Sequence, residues 1–293
     1  MTESAHIWRQ VSELMAGARE QVTLVAPFIK RDVLAATLAV VPDVVDSIKC
    51  VTRWVPEEVA AGVSDPEIIE LAAEDKRLHI ALCPRLHAKL YLADDHCLLG
   101  SANLTGKATG LAAYSNIEIL VEIPANHSEV DRVLTEIQRQ AVEASSHMAE
   151  MARKQADLLK NESVSSPRQE WYPVTRRPQV VYGYYCGRVR YSRSVEAAIL
   201  RDLACLGIPP GLSEEEFSAW IEARLHAIPV LKTLVEGGSL TNVELQIALQ
   251  ETVGMTGELA KRASETIAAW LRHFGSFYTD VETWEIRPGR ELA

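Results

Sequence analysis

The stretch HAKLYLADDHCLLGSAN, residues 87–103, decides how the first half of this chain folds. Ala88 to Leu92 and His96 to Asn103 are short, rich in aliphatic residues and separated by an acidic pair, which predicts two strands. Side chains two apart on a strand share a face, so His87 and Lys89 point the same way. The opposite face of this strand is apolar and consists of Leu86, Ala88, Leu90 and Leu92.

Two more polar pairs with the same spacing follow this stretch. Ser101 and Asn103 share a face, and so do Asn116 and Glu118 in the next predicted strand. Six polar side chains then line one cleft, and their types suit a phosphate diester. An imidazole attacks phosphorus or protonates the leaving oxygen near neutral pH. Lys89 supplies positive charge, Ser101 and Asn103 supply hydrogen-bond donors, and the carboxylate of Glu118 can hold an imidazole in one orientation.

With these residues the chain resembles the phospholipase D superfamily, whose signature is H-x-K-x4-D-x6-G-S-x-N followed by N-x-E. Only five residues, 95–99, separate Asp94 from Gly100, where the family usually has six. The resemblance covers roughly the first 160 residues, because the repeating unit of the family has about that size. The matching positions are His87, Lys89, Asp94, Gly100, Ser101, Asn103, Asn116 and Glu118.

The resemblance implies a reaction without metal or organic cofactor, in which one histidine forms a phosphohistidine and a second protonates the leaving group. This chain has one motif, so the resemblance implies an active homodimer in which two copies of His87 face each other and titrate as a coupled pair. Lys89 and Asn103 would bind the phosphate and Ser101 would support it. Asp94 would position neighbouring groups, and Glu118 would orient His87.

A local positive patch is expected near this cleft, although the formal net charge of the chain is −10. An enzyme needs only a few basic residues to focus a charged substrate. Some of the candidates will be ordinary surface charges. The predicted phosphate or nucleic-acid contacts are Lys30, Arg31, Arg53, Arg85, Lys107 and the amide of Asn116.

Composition places the chain among ordinary globular proteins, with 293 residues, 47% hydrophobic and 24% charged. The length allows two domains. No apolar run reaches the ~18 residues of a membrane helix, and the first residues lack the pattern of a signal peptide, so we expect a cytoplasmic protein. The five cysteines show no C-x-x-C spacing, which predicts reduced, packed thiols and no metal site.

Residues 1–160 are predicted to form an α/β domain, with a layered sheet covered by helices on both faces. Further strands are expected at Gln21 to Ile29, Ser47 to Arg53, Leu78 to Cys83 and Asn116 to Ile123. Helices are expected at Ala5 to Ala18, Arg31 to Val40 and Pro66 to Asp75, the last capped by Asp65. A long helix from Ser128 to Lys160 carries a coiled-coil-like apolar seam, which either joins subunits or lies along its own sheet.

Residues 161–178 read as a linker, and 179–293 as a mainly helical domain for specificity or interaction. Val180 to Tyr191 suggests a hairpin whose tyrosines either stack bases or pack inward. From Thr241 onward the order of helices and strands is that of a winged helix, although a helical bundle around Trp220, Trp270 and Trp284 would give the same pattern. Ser213 and Glu216 have the spacing of a capping box. Helices are expected at Val195 to Cys205, Ser213 to Ala227, Thr241 to Gln250 and Thr256 to His273, followed by a strand at Phe277 to Ile286.

These observations favour a phosphodiesterase, an endonuclease-like hydrolase that cleaves DNA, over a lipid enzyme. Lipid members of the family generally carry two motifs and need an interfacial surface, and no strongly amphipathic basic helix or exposed apolar loop is evident. Two alternatives stay open. One is a phospholipase or phosphatidyl transferase, and the other is a silent module that only binds phosphate. A place in restriction or phage defence rests on fold-level analogy.

Overall fold

The computed structural model describes residues 5–162, 171–280 and 284–289. The chain divides into two compact units. The first runs to Ala156 and includes Pro209–Gly211, and the second consists of Asp157–Ile208 and the chain from Leu212 onward.

The first unit is built on a seven-stranded mixed sheet with the strand order β6-β5-β4-β1-β2-β3-β7. Strands β1, β2 and β3 are parallel, and the other pairs are antiparallel. Because β4, β5 and β6 are consecutive antiparallel neighbours, the start of β4, the end of β5 and the start of β6 lie at one end of the sheet. The strands are β1 (Gln21–Val25), β2 (Ser47–Thr52), β3 (Leu78–Leu82), β4 (Leu90–Ala93), β5 (His96–Gly100), β6 (Leu120–Pro124) and β7 (Val142–Glu143).

Helices cover both faces of this sheet, as the sequence predicts. On one face, Val22 and Leu24 of β1 belong to a core that includes buried residues of the first helices. On the other face, Val25 and Cys97 pack with Val130 and Ile137. The helices are α1 (His6–Ala16), α2 (Arg31–Leu38), α3 (Pro56–Ala60), α4 (Ile68–Glu74), α5 (Gly106–Thr109), α6 (Ser128–Gln140) and α7 (Ser146–Glu162).

The single long helix predicted from Ser128 to Lys160 is wrong. Helix α6 ends at Gln140, Ala141 is extended with φ −75° and ψ 138°, and β7 pairs with β3 before α7 begins. The seam is shared between two cores, because Val130 and Ile137 pack on one face of the sheet and Ala149 and Ala152 on the other. Two helices that each bury a stripe give the same periodicity as one coiled-coil helix.

The second unit is mainly helical and carries a small three-stranded sheet with the order β8-β10-β9. Helices α12 and α13 and strands β9 and β10 follow each other in the order predicted for a winged helix, and β8, which the sequence did not predict, precedes them. Ser213 and Glu216 form the predicted capping box. The elements are α8 (Val181–Tyr185), α9 (Arg193–Leu206), α10 (Glu214–His226), α11 (Lys232–Val235), β8 (Leu240–Thr241), α12 (Asn242–Val253), α13 (Gly257–Phe274), β9 (Phe277–Asp280) and β10 (Glu285–Pro288), with short 3-10 turns at Pro178–Val180 and Pro229–Leu231.

The hairpin predicted from Val180 to Tyr191 is wrong, because its first half is helix α8. Tyr184 and Tyr185 are buried, and the ring of Tyr185 lies 4.7 Å from that of Phe217. The aromatic residues therefore recur at helical spacing and pack inward instead of alternating along a strand.

A buried carboxylate organises the start of the second unit. Asp202 accepts hydrogen bonds from Trp171 Nε1 at 3.1 Å, from the backbone N–H of Val174 at 3.0 Å and from that of Thr175 at 2.8 Å. Burial raises the pKa of Asp202, although these donors oppose the shift. Of the predicted linker 161–178, residues 163–170 lie outside the described residues, and the segment after them is fixed by Asp202. In the described parts of the chain, no helix combines the length and hydropathy needed to cross a bilayer.

Candidate active site

The three predicted residue pairs lie at one end of the sheet in the first unit. His87 and Lys89 precede β4, Ser101 and Asn103 follow β5, and Asn116 and Glu118 precede β6, which is the same end for all three strands. The predicted strands contained or adjoined these pairs, whereas in the structure each pair lies in the irregular segment next to a strand. The pairs remain close to the strand ends that carry them.

Glu118 holds Ser101 and Asn116 together. The hydroxyl of Ser101 donates to Oε2 of Glu118 at 2.5 Å, and Nδ2 of Asn116 donates to Oε1 at 3.1 Å. The backbone N–H of Ile119 donates to the Ser101 hydroxyl at 3.1 Å. The sequence expected Glu118 to orient His87, but in the structure its carboxylate fixes the other two polar groups.

Gly100 allows the end of β5 to approach the start of β6. A Cβ added at this position would lie 1.9 Å from the carbonyl oxygen of Ile119 and 2.8 Å from its carbonyl carbon. The next residue, Ser101, donates its backbone N–H to the same oxygen at 3.0 Å. The glycine of the motif is therefore required by backbone packing, and this packing aligns Ser101 with Glu118.

Tyr91 fixes the loop that carries Ser101 and Asn103, and the sequence analysis did not identify it. Its buried hydroxyl donates to the carbonyl oxygen of Ala102 at 2.7 Å, and burial raises its pKa. Tyr91 stands two residues after Lys89, so strand alternation places it on the same side of the strand, where it is buried. In the same loop, the buried Oδ1 of Asn103 has no hydrogen-bond partner among the described residues.

Lys89 is the cationic group nearest the start of β4. Its Nζ donates to the carbonyl oxygen of His87 at 2.7 Å, which ties the two motif residues together. Partial burial lowers the pKa of Lys89 and the charge of Arg53 lowers it further, while Glu118 opposes them. Lys89, Arg53 and Glu118 therefore interact electrostatically. His87 itself is exposed, so its imidazole is accessible to a substrate.

Arg53 stands at the end of β2, where it supports the loop before His87. Its Nη1 donates to the carbonyl oxygen of Leu86 at 2.7 Å, and its Nε donates to Glu58 at 3.0 Å. The guanidinium also lies over the ring of Phe28, 5.6 Å from its centroid. Arg53 thus positions the loop and contributes positive charge beside Lys89, but part of that charge is compensated by Glu58.

Lys30 and Arg31 are paired with acidic residues. Nζ of Lys30 lies 2.5 Å from Asp65, and the guanidinium of Arg31 lies 3.6 Å from Glu70 and 3.9 Å from Glu74. Asp65 also accepts the backbone N–H of Arg31 at 2.9 Å, at the start of α2. The prediction that Asp65 caps a helix beginning at Pro66 is wrong, because α4 begins at Ile68 and has no side-chain cap. These ion pairs give both basic residues a local partner, which weakens the predicted contact with substrate.

Lys107 and Arg85 are exposed near the same end of the sheet. Lys107 lies in α5, and its carbonyl oxygen accepts the backbone N–H of Asn116 at 2.9 Å. Arg85 lies in the turn that follows β3. Among the predicted basic contacts, these two and Arg53 have positions that suit a phosphate chain approaching His87.

Asp94 lies at the opposite end of β4 from His87 and Lys89. Its carboxylate accepts the backbone N–H groups of Arg19 at 2.8 Å and of Glu20 and Gln21 at 3.0 Å. Burial raises the pKa of Asp94, but the three backbone donors outweigh it and lower the pKa. Its φ is 51° in the turn between β4 and β5. Asp94 therefore holds the entry to β1, in contrast to its predicted place among the catalytic groups.

In the parts of the chain that the structure describes, no three His, Cys, Asp or Glu side chains are grouped as ligands for a metal ion. None of the five cysteines forms a disulfide, and three of them, at 50, 83 and 97, are buried. The groups available at this end of the sheet are an imidazole, an ammonium group, a guanidinium, the carboxylate of Glu118 and neutral hydrogen-bond donors.

Several solved structures resemble about half of this chain. NucT from Helicobacter pylori is 15% identical, with a TM-score of 0.35 over 48% of this chain and 93% of its own. Nuc from Salmonella typhimurium is 20% identical, with a TM-score of 0.37 over 50% of this chain and 95% of its own. Phosphatidylserine synthase from Haemophilus influenzae is 12% identical, with a TM-score of 0.39 over 56% of this chain and 43% of its own.

Nuc is described as a phospholipase D family member. No protein-family model and no curated protein matches the chain. Identities and TM-scores this low concern fold alone, and the case for an activity depends on the residues at the end of the sheet.

Proposed function

We propose that this protein is a metal-independent phosphodiesterase that cleaves nucleic acid, with DNA as the first substrate to test. One observation carries the proposal: the topology of β4, β5 and β6 brings an exposed imidazole, Lys89 and the Ser101–Glu118–Asn116 cluster to one end of the sheet. These are the groups needed to attack phosphorus and to bind its non-bridging oxygens.

In the proposed first step, a ring nitrogen of neutral His87 attacks phosphorus, so that a P–N bond forms and the P–O bond to the leaving oxygen breaks. His87 of the partner subunit, protonated at the start, gives its proton to that oxygen. In the second step the partner's imidazole takes a proton from water, the water oxygen attacks phosphorus and the P–N bond breaks. Each preorganised donor to the non-bridging oxygens contributes about 3 kcal/mol to transition-state stabilisation.

The apolar edge of the sheet supports a homodimer. Every second residue is apolar and exposed in the segment that leads into β6: Ile117 is 103% exposed, Ile119 is 62% exposed and Val121, within β6, is 46% exposed. Strand β6 is the last strand on its side of the sheet, and an exposed apolar edge of this kind marks an interaction surface. A second copy that covers this edge would approach the end of the sheet where His87 lies.

A lipid phosphodiesterase is the second candidate, and exposed apolar residues near the site favour it. The sequence disfavours a lipid substrate because it has a single motif and no evident amphipathic basic helix or exposed apolar loop. In the structure, however, Leu111, Tyr114 and Ile117 are exposed beside the site. Apolar side chains next to a catalytic cleft are what an enzyme acting at a membrane surface needs. We place the nucleic-acid substrate first because of the basic residues Lys89, Lys107 and Arg85 at the same end.

The test compares cleavage of single- and double-stranded DNA and RNA with turnover of phospholipid vesicles, all with excess EDTA. His87→Ala should abolish cleavage, and His79→Ala is the matched control, because His79 is exposed on β3 of the same unit. Cleavage that EDTA removes, or that survives His87→Ala, contradicts the proposal. Vesicle turnover without cleavage of nucleic acid selects the lipid enzyme, and phosphate binding without turnover selects the silent module.

The compartment and the pathway belong to the same proposal. Five cysteines without a disulfide fit the reducing cytoplasm. A role in restriction or phage defence has fold-level analogy as its only support.

A further inference from the structure

The loop between α5 and β6 presents an aromatic ring to solvent in an unusual backbone conformation. Tyr114 has φ 56°, in the left-handed region that residues with a side chain rarely adopt, and its side chain is 95% exposed. Such a conformation persists only where surrounding contacts impose it, and it is often found at binding sites.

Hydrogen bonds on both sides of Tyr114 impose this conformation. The backbone N–H of Ala112 donates to the carbonyl oxygen of Gly106 at 2.9 Å, and that of Asn116 donates to Lys107 at 2.9 Å. The hydroxyl of Ser115 donates to the carbonyl oxygen of Ala112 at 3.0 Å. The loop is therefore tied to α5 before and after the tyrosine, and the ring is held in an outward position.

A groove runs from this ring to the candidate active site. Its volume is about 520 Å³, and it is lined by His6, Ile7, Ala108 and residues 112–118, which include Asn116 and Glu118. This volume lies in the range of small-molecule sites, roughly 300–1,000 Å³. Its lining combines apolar side chains, among them Ile7 and Ala108, with the polar groups of Asn116 and Glu118, so the groove suits a flat heteroaromatic ring with a polar edge.

We propose that Tyr114 is a stacking platform for an unpaired nucleobase next to the scissile phosphate, so that the substrate is a single-stranded nucleic acid. The inference rests on the proposed phosphodiesterase function and adds the substrate class. A base inside a duplex is stacked between its neighbours, whereas an unpaired base offers its face to an aromatic side chain. Because the groove shares Asn116 and Glu118 with the site, a base on Tyr114 has its phosphate close to Ser101.

The test uses the full-length protein with a fluorescent single-stranded oligonucleotide, and it measures both KM for cleavage and Kd by anisotropy. Tyr114→Ala should raise both by about 5- to 100-fold, because one base–aromatic stack is lost. Tyr114→Phe and Tyr114→Trp should bind like the wild type, since the ring and not the hydroxyl is required. Tyr278→Ala is the matched control, an exposed tyrosine of β9 in the second unit.

Turnover of bis(p-nitrophenyl) phosphate, which carries no nucleobase, separates this inference from the proposed function. Tyr114→Ala should leave kcat for that substrate unchanged, because the groups around phosphorus are intact. If the wild type turns over this small substrate and Tyr114→Ala binds the oligonucleotide as well as the wild type, the stacking platform is refuted and the phosphodiesterase stands. If no substrate is cleaved, the proposed function fails, and the anisotropy series still decides whether Tyr114 binds a base. A Tyr114→Ala protein that becomes monomeric in sedimentation assigns the ring to a second copy of the chain and also refutes the platform.

Discussion

Gly100→Ala should separate the last two strands of the catalytic end. The added Cβ would lie 1.9 Å from the carbonyl oxygen of Ile119, and ordinary contact begins at 3.4 Å, so the two backbones must move apart by about 1.5 Å. That movement stretches the bond from the Ser101 N–H to the same oxygen, now 3.0 Å, beyond hydrogen-bonding range.

The expected cost follows from these two changes. Overpacking costs about 1–3 kcal/mol, and a lost backbone hydrogen bond costs about 1 kcal/mol. A sum of roughly 3 kcal/mol corresponds to an increase on the order of 100-fold in the equilibrium constant for local opening of β6. Glu118 would shift with Ile119, so Ser101 and Asn116 would lose their common partner and cleavage should fall in parallel.

Hydrogen exchange measured by mass spectrometry on peptides that cover β5 and β6 is the assay. Gly17→Ala is the matched control in the same unit, because its Cβ would meet only ordinary contacts at 3.5 and 3.6 Å. That substitution should leave protection unchanged or raise it, since alanine restricts the unfolded chain. If Gly100→Ala keeps β6 as protected as Gly17→Ala does, the argument from backbone packing is refuted.

Three further results are expected. Asp94→Ala should lower the stability of the first unit by about 1–2 kcal/mol, as the loss of a helix cap does, which thermal unfolding measures. The kcat of the folded variant should stay near that of the wild type. Because backbone donors lower the pKa of Asp94, its contribution to the free energy of unfolding is present above pH 3.8, the ordinary pKa. That contribution is lost as pH falls through the lowered pKa of the folded protein. Because burial raises the pKa of Asp202, its contribution to the free energy of unfolding is full below pH 3.8 and declines as pH rises through the pKa of the folded protein. Unfolding of the wild type should therefore depend on pH between about 3 and 7, and unfolding of Asp202→Asn should lack this dependence. Ile117→Glu should yield an inactive monomer in sedimentation, whereas Val44→Glu, 63% exposed elsewhere in the unit, should stay dimeric if the apolar edge is the subunit contact.

The arrangement of the site could be predicted because strand alternation and hairpin connections leave few choices. Once His87, Ser101 and Glu118 are assigned to neighbouring antiparallel strands, they must meet at one end of the sheet. The partners of the basic residues could not be predicted in the same way. Asp65 lies 35 residues after Lys30, and only the parallel arrangement of β1 and β2 brings its loop to α2.

The two errors in secondary structure arose because one spacing of apolar or aromatic residues fits two different structures. The seam from Ser128 to Lys160 fits one long helix or two helices on opposite faces of a sheet, and the pairing of β7 with β3 decides for the second. The tyrosines near Tyr184 fit a strand or a helix, and burial against Phe217 decides for the helix. Asp94 matches a motif position, but its role depends on three backbone donors, at 19, 20 and 21, that no motif describes.

Mixing of subunits tests the central claim most directly. Wild type and His87→Ala are unfolded together in varying ratios, refolded and assayed for cleavage. If each site requires the imidazole of both subunits, mixed dimers are inactive and activity follows the square of the wild-type fraction, about one quarter at an equal mixture. Activity proportional to the wild-type fraction, about one half at that mixture, would show that each chain cleaves with its own His87 and would contradict the account.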